Sequence, residues 1–309
     1  MATNDKSGLK VWLNDTFVNW DDANVHVMTH TLHYGVGVFE GIRCYETADG
    51  PAILRLKEHI DRLFNSAKII GMPVNESYEQ VYNAIIETVK VNNLSSCYIR
   101  PLFFLDHSSL GLNCIQNKVM FAVAAWEWGA YLGQEGLDNG IRTKISSFTR
   151  HHPNISMTKA KVCGGYVNSI LAKLEALRDG YEEAILLDTL GHIAEGSGEN
   201  IFIVKNNKLI TPPTTSVLDG ISRDIVFNIA KDLGIQVVEQ YFSRDTLYIA
   251  DEAFFTGTAA EITPIREVDN ISLGKKPGAG EITKKIQAEF FRITKGENPD
   301  YKHWLDFII

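Results

Sequence analysis

The sequence predicts an α/β protein of two domains, and three observations carry that prediction. At 309 residues, with 45% hydrophobic and 22% charged residues, the chain holds material for about two globular domains. Its first part alternates short strand-like runs with helical patterns. Between Trp126 and Gly140 the patterning loosens into Glu-Trp-Gly-Ala-Tyr-Leu-Gly-Gln-Glu-Gly, which reads as a link. The expected division is therefore residues 1–126, a connection over 127–140, and residues 141–309.

Composition narrows the function. A net charge of −8 and a pI near 5.6 argue against a surface built for nucleic acid or an anionic membrane, so an anionic ligand must be met by local charges. Cys44, Cys97, Cys114 and Cys163 share no C-x-x-C spacing and sit in or beside apolar runs, which points to free thiols and a reducing cytoplasm rather than disulfides or zinc. The first residues lack an apolar signal core, and the longest apolar run, 119–126, is too short to span a bilayer.

The elements follow in chain order. Residues 9–13 and 16–20 flank Asn14-Asp15 and read as a hairpin. His26, His30 and His33 would share a helix face, but no acidic residue stands at a matching spacing, so polar histidines near a site entrance are expected and no metal. The run from Gly35 to Gly41 lacks the preceding strand and the spacing of a dinucleotide loop and reads as a turn into a strand at 38–45. A strand at 51–56 leads to a helix at 57–70 with Ile60, Leu63, Phe64 and Ala67 inward, Arg62 off that stripe, and Gly71 and Pro73 as its stop. Ser77 and Gln80 form a capping box for a helix at 78–91. In the strand at 97–104, alternation sets Tyr98 and Arg100 on one face, a phenol beside a guanidinium, and a strand at 119–126 follows.

The second part opens with a strand at 141–148 and reaches Thr158-Lys159-Ala160-Lys161-Val162-Cys163-Gly164-Gly165-Tyr166. Two lysines stand beside a Gly-Gly pair that opens a helix at 166–178, which ends at Gly180. An amine held there can be stripped of water and act as a nucleophile; the plain alternative is two exposed charges. A buried strand at 184–187 precedes a strand-turn-strand unit that carries Glu195 and ends near Val204. Asp219-Gly220 leads into a helix at 222–233 whose start, with Ser222, is either an anion site or an ordinary capped terminus. Strands at 235–242 and 253–258 and a helix at 281–293 complete the pattern.

Lys161 with Tyr166, the Glu195-Gly196-Ser197-Gly198-Glu199-Asn200 run, Gly220-Ile221-Ser222-Arg223-Asp224 and Gly257-Thr258-Ala259-Ala260-Glu261-Ile262-Thr263-Pro264 together resemble the fold-type IV pyridoxal-phosphate enzymes. Tyr34-Gly35, Phe39-Glu40-Gly41-Ile42-Arg43 and Tyr98-Ile99-Arg100-Pro101 are similar to the branched-chain amino acid aminotransferases within them. The resemblance runs from about Trp12 to Trp304. It implies a smaller N-terminal α/β domain and a larger C-terminal domain with a β-barrel-like core, with pyridoxal 5′-phosphate between them.

It also implies roles. Lys161, and not Lys159, would be the Schiff-base lysine; Glu195 would keep the pyridine nitrogen protonated; Tyr166 would approach the ring hydroxyl. Arg62, the backbone of Ile221 and Ser222, and Thr258 would cradle the phosphate. The implied reaction passes an amino group from leucine, isoleucine or valine to 2-oxoglutarate, with Lys161 carrying the proton from the substrate Cα. Tyr34, Phe39, Trp128 and Tyr131 would line an apolar pocket, with packing as the equal alternative for Trp128 and Tyr131. Tyr98 and Arg100 would form its wall, joined by Gly41, Arg43 and Thr258-Ala259. Leu110 and Leu112 would enter from a neighbouring subunit of a homodimer or larger homo-oligomer.

Two departures from the family pattern touch the helix start: Val162-Cys163 after the lysine, and Gly165 before the tyrosine. A D-amino acid aminotransferase or an aminodeoxychorismate lyase of the same fold is the rival reading, and Tyr98-x-Arg100-Pro101 favours the branched-chain branch.

Overall fold

An antiparallel sheet organises the first half of the chain, and a closed barrel the second. The computed structural model describes residues 6–129, 131–274 and 278–308. They pack as two units: Met1–Trp128 with Ala160–Gly165 and Ile293–Ile309, and Gly129–Lys159 with Tyr166–Arg292.

In the first unit the strands run in the order Leu305–Phe307, Gly50–Leu54, Ile42–Thr47, Cys97–Leu105, Val119–Trp126, Lys10–Leu13, Thr16–Asn19, and Gly37–Phe39 pairs with Cys97–Leu105 off that path. The hairpin at Asn14-Asp15 forms as its turn residues require, with φ of 47° and 65°, a region that Asn and Asp tolerate. Helices Leu56–Ile69 and Tyr78–Val91 bury Ile60, Leu63 and Ala67, and Val81, Ile85 and Val89, in one core with Ile42, Ile53, Ile99, Phe103 and Val123. Each such aliphatic or aromatic side chain contributes about 1.5–3 kcal/mol on full burial. The capping box is made in both directions, Gln80 N–H to Ser77 Oγ at 3.2 Å and Ser77 N–H to Gln80 Oε1 at 2.7 Å.

In the second unit six strands close on themselves. Ile141–Thr149 lies parallel to both Glu183–Leu187 and Glu261–Val268. Antiparallel pairings then run from Glu183–Leu187 through Ile193–Gly196, Asn200–Lys205 and Glu252–Gly257 back to Glu261–Val268. Ile141, Ile145, Ile185, Ile193, Ile201, Phe255 and Ile265 are among the buried side chains of its core. Helix Tyr166–Arg178 covers Ile141–Thr149 and Glu183–Leu187, and helix Ile221–Asp232 covers Glu252–Gly257.

Several segments differ from the expectation. Residues 127–140 hold a short helix, Gln134–Asn139, set between Gly133 and Gly140 at φ of 79° and 77° and laced by the i,i+4 pairs Gln134–Asp138 and Asn139–Glu135. Residues 235–242 contribute only Val237–Glu239, which lies parallel to an unanticipated strand, Lys208–Thr211. Chain order assigns 160–165 and the C-terminus to the second domain, whereas both pack in the first unit. Phe39 N–H donates to the Lys161 carbonyl at 3.1 Å, Lys161 N–H donates to Ser66 Oγ at 2.9 Å, and Leu305–Phe307 adds a strand beside Gly50–Leu54.

Candidate active site

Helix Leu56–Ile69 presents a polar face at His59, Arg62 and Ser66, spaced i, i+3, i+7 and separate from its apolar stripe. This face holds two other segments of the first unit. Glu40, fully buried in the turn between Gly37–Phe39 and Ile42–Thr47, accepts from Arg62 Nε at 2.6 Å and Nη2 at 2.9 Å and lies 2.7 Å from His59 Nδ1. Ser66, one turn beyond Arg62, takes the Lys161 amide. Burial alone would raise the Glu40 pKa, but the Arg62 guanidinium and the His59 hydrogen bond outweigh it and hold the carboxyl well below the usual range. Desolvation, against the pull of Glu40, lowers the pKa of His59. A neutral ring then donates through Nδ1.

Lys161 directs its Nζ over the Phe39 ring, 5.1 Å from the centroid, and Arg100 stacks on the same ring at 4.6 Å. Tyr98 and Arg100 share a strand face as the alternation requires, Arg100 Nη2 donating to Tyr98 Oη at 3.3 Å. Trp126 and Trp128 wall in the Tyr98 ring at 5.3 and 4.5 Å, and Arg43 Nη1 reaches the Trp128 carbonyl at 3.3 Å. Gly41 is dictated by this wall, because a Cβ there would overlap the Tyr98 hydroxyl. Of the first-unit residues singled out in the sequence, Phe39, Gly41, Arg43, Tyr98, Arg100, Trp128 and Lys161 are thus brought into one neighbourhood. Tyr34 is half exposed and rests on the buried ring of His30 at 4.6 Å, while Leu110 and Leu112 stand in solvent, 47% and 91% exposed. The histidines turn to separate partners: His30 Nε2 to the Gly111 carbonyl at 2.8 Å, His33 Nε2 to that of Val27 at 2.9 Å, and His26 stacked on His107.

In the second unit Glu195, Asn200 and Thr256 are neighbours across three strands. Glu195 is buried, paired through Oε1 with Arg150 Nε at 2.6 Å, and its Oε2 accepts the Leu218 N–H at 3.3 Å. Asn200 donates to the Leu218 carbonyl at 3.0 Å, and Gly220 packs so tightly on Asn200 Oδ1 that no Cβ would fit. The chain thereby enters helix Ile221–Asp232 with Gly220 as N-cap and no side-chain cap, which leaves the amides of its first turn, with Ile221 and buried Ser222, suited to an anion. Thr258 and Ala259 lie in the turn from Glu252–Gly257 to Glu261–Val268, beside Thr256, whose buried hydroxyl has no protein partner among the described residues. Tyr131, Tyr166, Ser169, Lys173, Ser197 and Gly198 help line a cavity of about 190 Å³. Lys159 pairs with Asp219 at 2.6 Å, both partly exposed, in contrast to Lys161 against its aromatic ring.

These residues fit a phosphorylated, electron-accepting aldehyde cofactor. In kind, the first unit offers an amine against an aromatic ring, suited to its carbonyl carbon, and the second offers a carboxylate paired with an arginine and an uncapped helix N-terminus, suited to its ring nitrogen and its phosphate. Sequence reasoning missed Glu40, His59 and Arg150 as parts of this chemistry. The signal for His59 was a polar face on a helix whose other face is apolar, and Glu40 stood inside the Phe39–Arg43 run without a role; nothing local marks Arg150.

The amino-transferase class IV family matches residues 37–268, and the chain belongs to that family. It is 49% identical to the branched-chain-amino-acid aminotransferase of Pseudomonas aeruginosa, over 98% of each chain, and 49% identical to that of Escherichia coli K12, over 96% of each. Among solved structures it superposes with a TM-score of 0.95 on the T.th. branched-chain amino acid aminotransferase with pyridoxamine 5′-phosphate, at 46% identity, covering 98% of this chain and 99% of that one. The same enzyme complexed with N-(5′-phosphopyridoxyl)-L-glutamate gives 0.94 at 45% identity, covering 99% and 100%.

Proposed function

We propose that this aminotransferase uses pyridoxal 5′-phosphate to exchange amino groups between leucine, isoleucine or valine and 2-oxoglutarate. The observation that carries the reading is the Phe39–Tyr98–Arg100 wall beside Lys161, in a chain that matches branched-chain enzymes over nearly its whole length. Aromatic faces suit an apolar side chain, and a guanidinium stacked on one of them suits the second carboxylate of glutamate.

When bound, the cofactor supplies an electrophilic carbon and a ring that takes up electrons from the substrate Cα. Lys161 provides the amine that holds it and carries the proton at Cα; a positioned base of this kind is worth ~10²–10⁴ in rate. Glu195 keeps a proton on the ring nitrogen, and Arg150, paired with it, holds it in orientation. Arg62, the Ile221 and Ser222 amides and Thr258 meet the phosphate, and Tyr166 meets the ring hydroxyl. On the substrate side, Gly41 leaves room for the Tyr98 hydroxyl and Arg43 ties down Trp128, with Tyr34, Tyr131 and Ala259 completing the lining.

Leu110 and Leu112 complete the pocket of a second copy in a homo-oligomer. Their exposure supports this, as does the run Val167, Ile170, Leu171, Leu174 and Leu177, which leaves an apolar stripe on helix Tyr166–Arg178 in solvent. No helix among the described residues is long and apolar enough to cross a membrane, and the four free cysteines fit a cytoplasmic setting. Turnover of L-leucine against D-leucine with 2-oxoglutarate tests the proposal: strong preference for the L form is expected, and equal or reversed preference would overturn it.

A further inference from the structure

Two buried carboxylates of the second unit, Glu183 and Glu195, each paired with a cation, act on a third, Glu199. Lys173 Nζ pairs with Glu183 at 2.7 Å, its ammonium also 5.3 Å from the Tyr131 ring centroid, and Arg150 pairs with Glu195 at 2.6 Å. Glu199, 4% exposed, forms no ion pair among the described residues and accepts the Gly198 N–H, 3.0 Å from Oε2. A carboxyl in that position, out of water and in the field of two like charges, favours its neutral form. Burial first, then Glu183, raise its pKa to about 8 against the pull of the Gly198 N–H and Lys173, with Glu195 adding to the rise.

The same residue braces the backbone. Gly196 N–H donates to the main-chain carbonyl of Glu199 at 2.7 Å, while the side chain takes the Gly198 N–H and stands where a Cβ on Gly196 would come within 2.6 Å of Oε2, so the 196–198 turn is closed on Glu199 by both its backbone and its carboxyl. That turn follows Glu195 directly, and Ser197 and Gly198 line the cavity shared with Tyr166.

We propose that Glu199 is a positioning residue that works as a neutral carboxylic acid: it braces the 196–198 turn and, through it, the place of Glu195, which directly precedes that turn. The second half of this inference rests on the role assigned to Glu195 above; the first half does not.

Glu199→Gln reproduces the neutral form at every pH. The folded pKa lies above the unfolded one, so wild-type stability relative to E199Q is full below the unfolded value of 4.5, declines up to about pH 8 and is level beyond. In urea unfolding of the full chain, the wild-type midpoint should therefore fall relative to that of E199Q between about pH 5 and about pH 8. In the holoenzyme, the alkaline limb of kcat/KM for L-leucine, about tenfold per pH unit in wild type, should move up by about a unit or more in E199Q. Midpoints that run parallel overturn the neutral form. Diverging midpoints with an unmoved alkaline limb overturn the positioning role. Should Glu195→Gln itself keep full kcat, the role of Glu195 falls, and the stability measurement still decides the state of Glu199. If E199Q does not fold, the infrared carboxylic-acid band of the wild type decides: present at neutral pH and lost on alkalinisation supports the inference, absent at neutral pH overturns it.

Discussion

Replacing Glu40 probes the polar face that joins Arg62 to the rest of the first unit. Its carboxylate is fully buried and receives two hydrogen bonds from Arg62 and one from His59, at 2.6, 2.9 and 2.7 Å. Glu40→Ala leaves the guanidinium, itself mostly buried, without its counter-charge, and breaking one side of such a pair costs about 3–5 kcal/mol. Glu40→Gln keeps the shape but offers one acceptor oxygen where there were two, and each lost charge-assisted bond costs about 1.5–3 kcal/mol. Both variants should lower the urea midpoint at neutral pH, Ala more than Gln. The pH dependence has a definite sign. The folded pKa of Glu40 lies below the unfolded value of 4.5, so the stabilisation is complete above that value and is lost as pH falls below it. Wild type should lose on acidification a stability that E40Q does not have to lose. If Arg62 meets the phosphate, the apoenzyme of E40Q should also bind pyridoxal phosphate about 10- to 150-fold more weakly in a fluorescence titration, the equivalent of one such bond. Equal midpoints for wild type and E40Q at pH 7, or acid unfolding curves that run parallel, would refute the reasoning.

Three further outcomes are expected. Borohydride reduction of the holoenzyme followed by peptide mapping should place the pyridoxyl group on Lys161, whereas a label on Lys159, which pairs with Asp219, contradicts the assignment. Glu195→Gln should retain cofactor yet transaminate at least about tenfold more slowly, since an amide cannot hold the ring nitrogen charged; an unchanged kcat excludes the role. Arg100→Met should impair the 2-oxoglutarate half-reaction by about 10- to 150-fold in kcat/KM and the leucine half far less, and equal losses in single-turnover measurements would mean that Arg100 supports packing over Phe39 rather than reading the substrate.

What the sequence by itself determined is what depends on residues a few positions apart. The Ser77–Gln80 capping box, the Asn14-Asp15 hairpin, helix Tyr166–Arg178 and the shared face of Tyr98 and Arg100 were legible because turn chemistry and the periods of 2 and 3.6 are local properties. The resemblance marked Lys161, Glu195 and the Gly220–Ser222 helix start for the same reason, each lying in a short run of characteristic residues. Only the tertiary structure decided which partners those groups take. Arg62 could be marked for a phosphate, but its grip by Glu40 and His59 depends on a helix face meeting a turn 22 residues earlier in the chain. Barrel closure rests on Ile193–Gly196 pairing on both sides, and the Arg150–Glu195 ion pair is an equally non-local contact. Alternation shows that a segment is a strand but not which strand it joins. Burial then decides which charges must find partners, and the strength of those pairings depends on desolvation that no local pattern records.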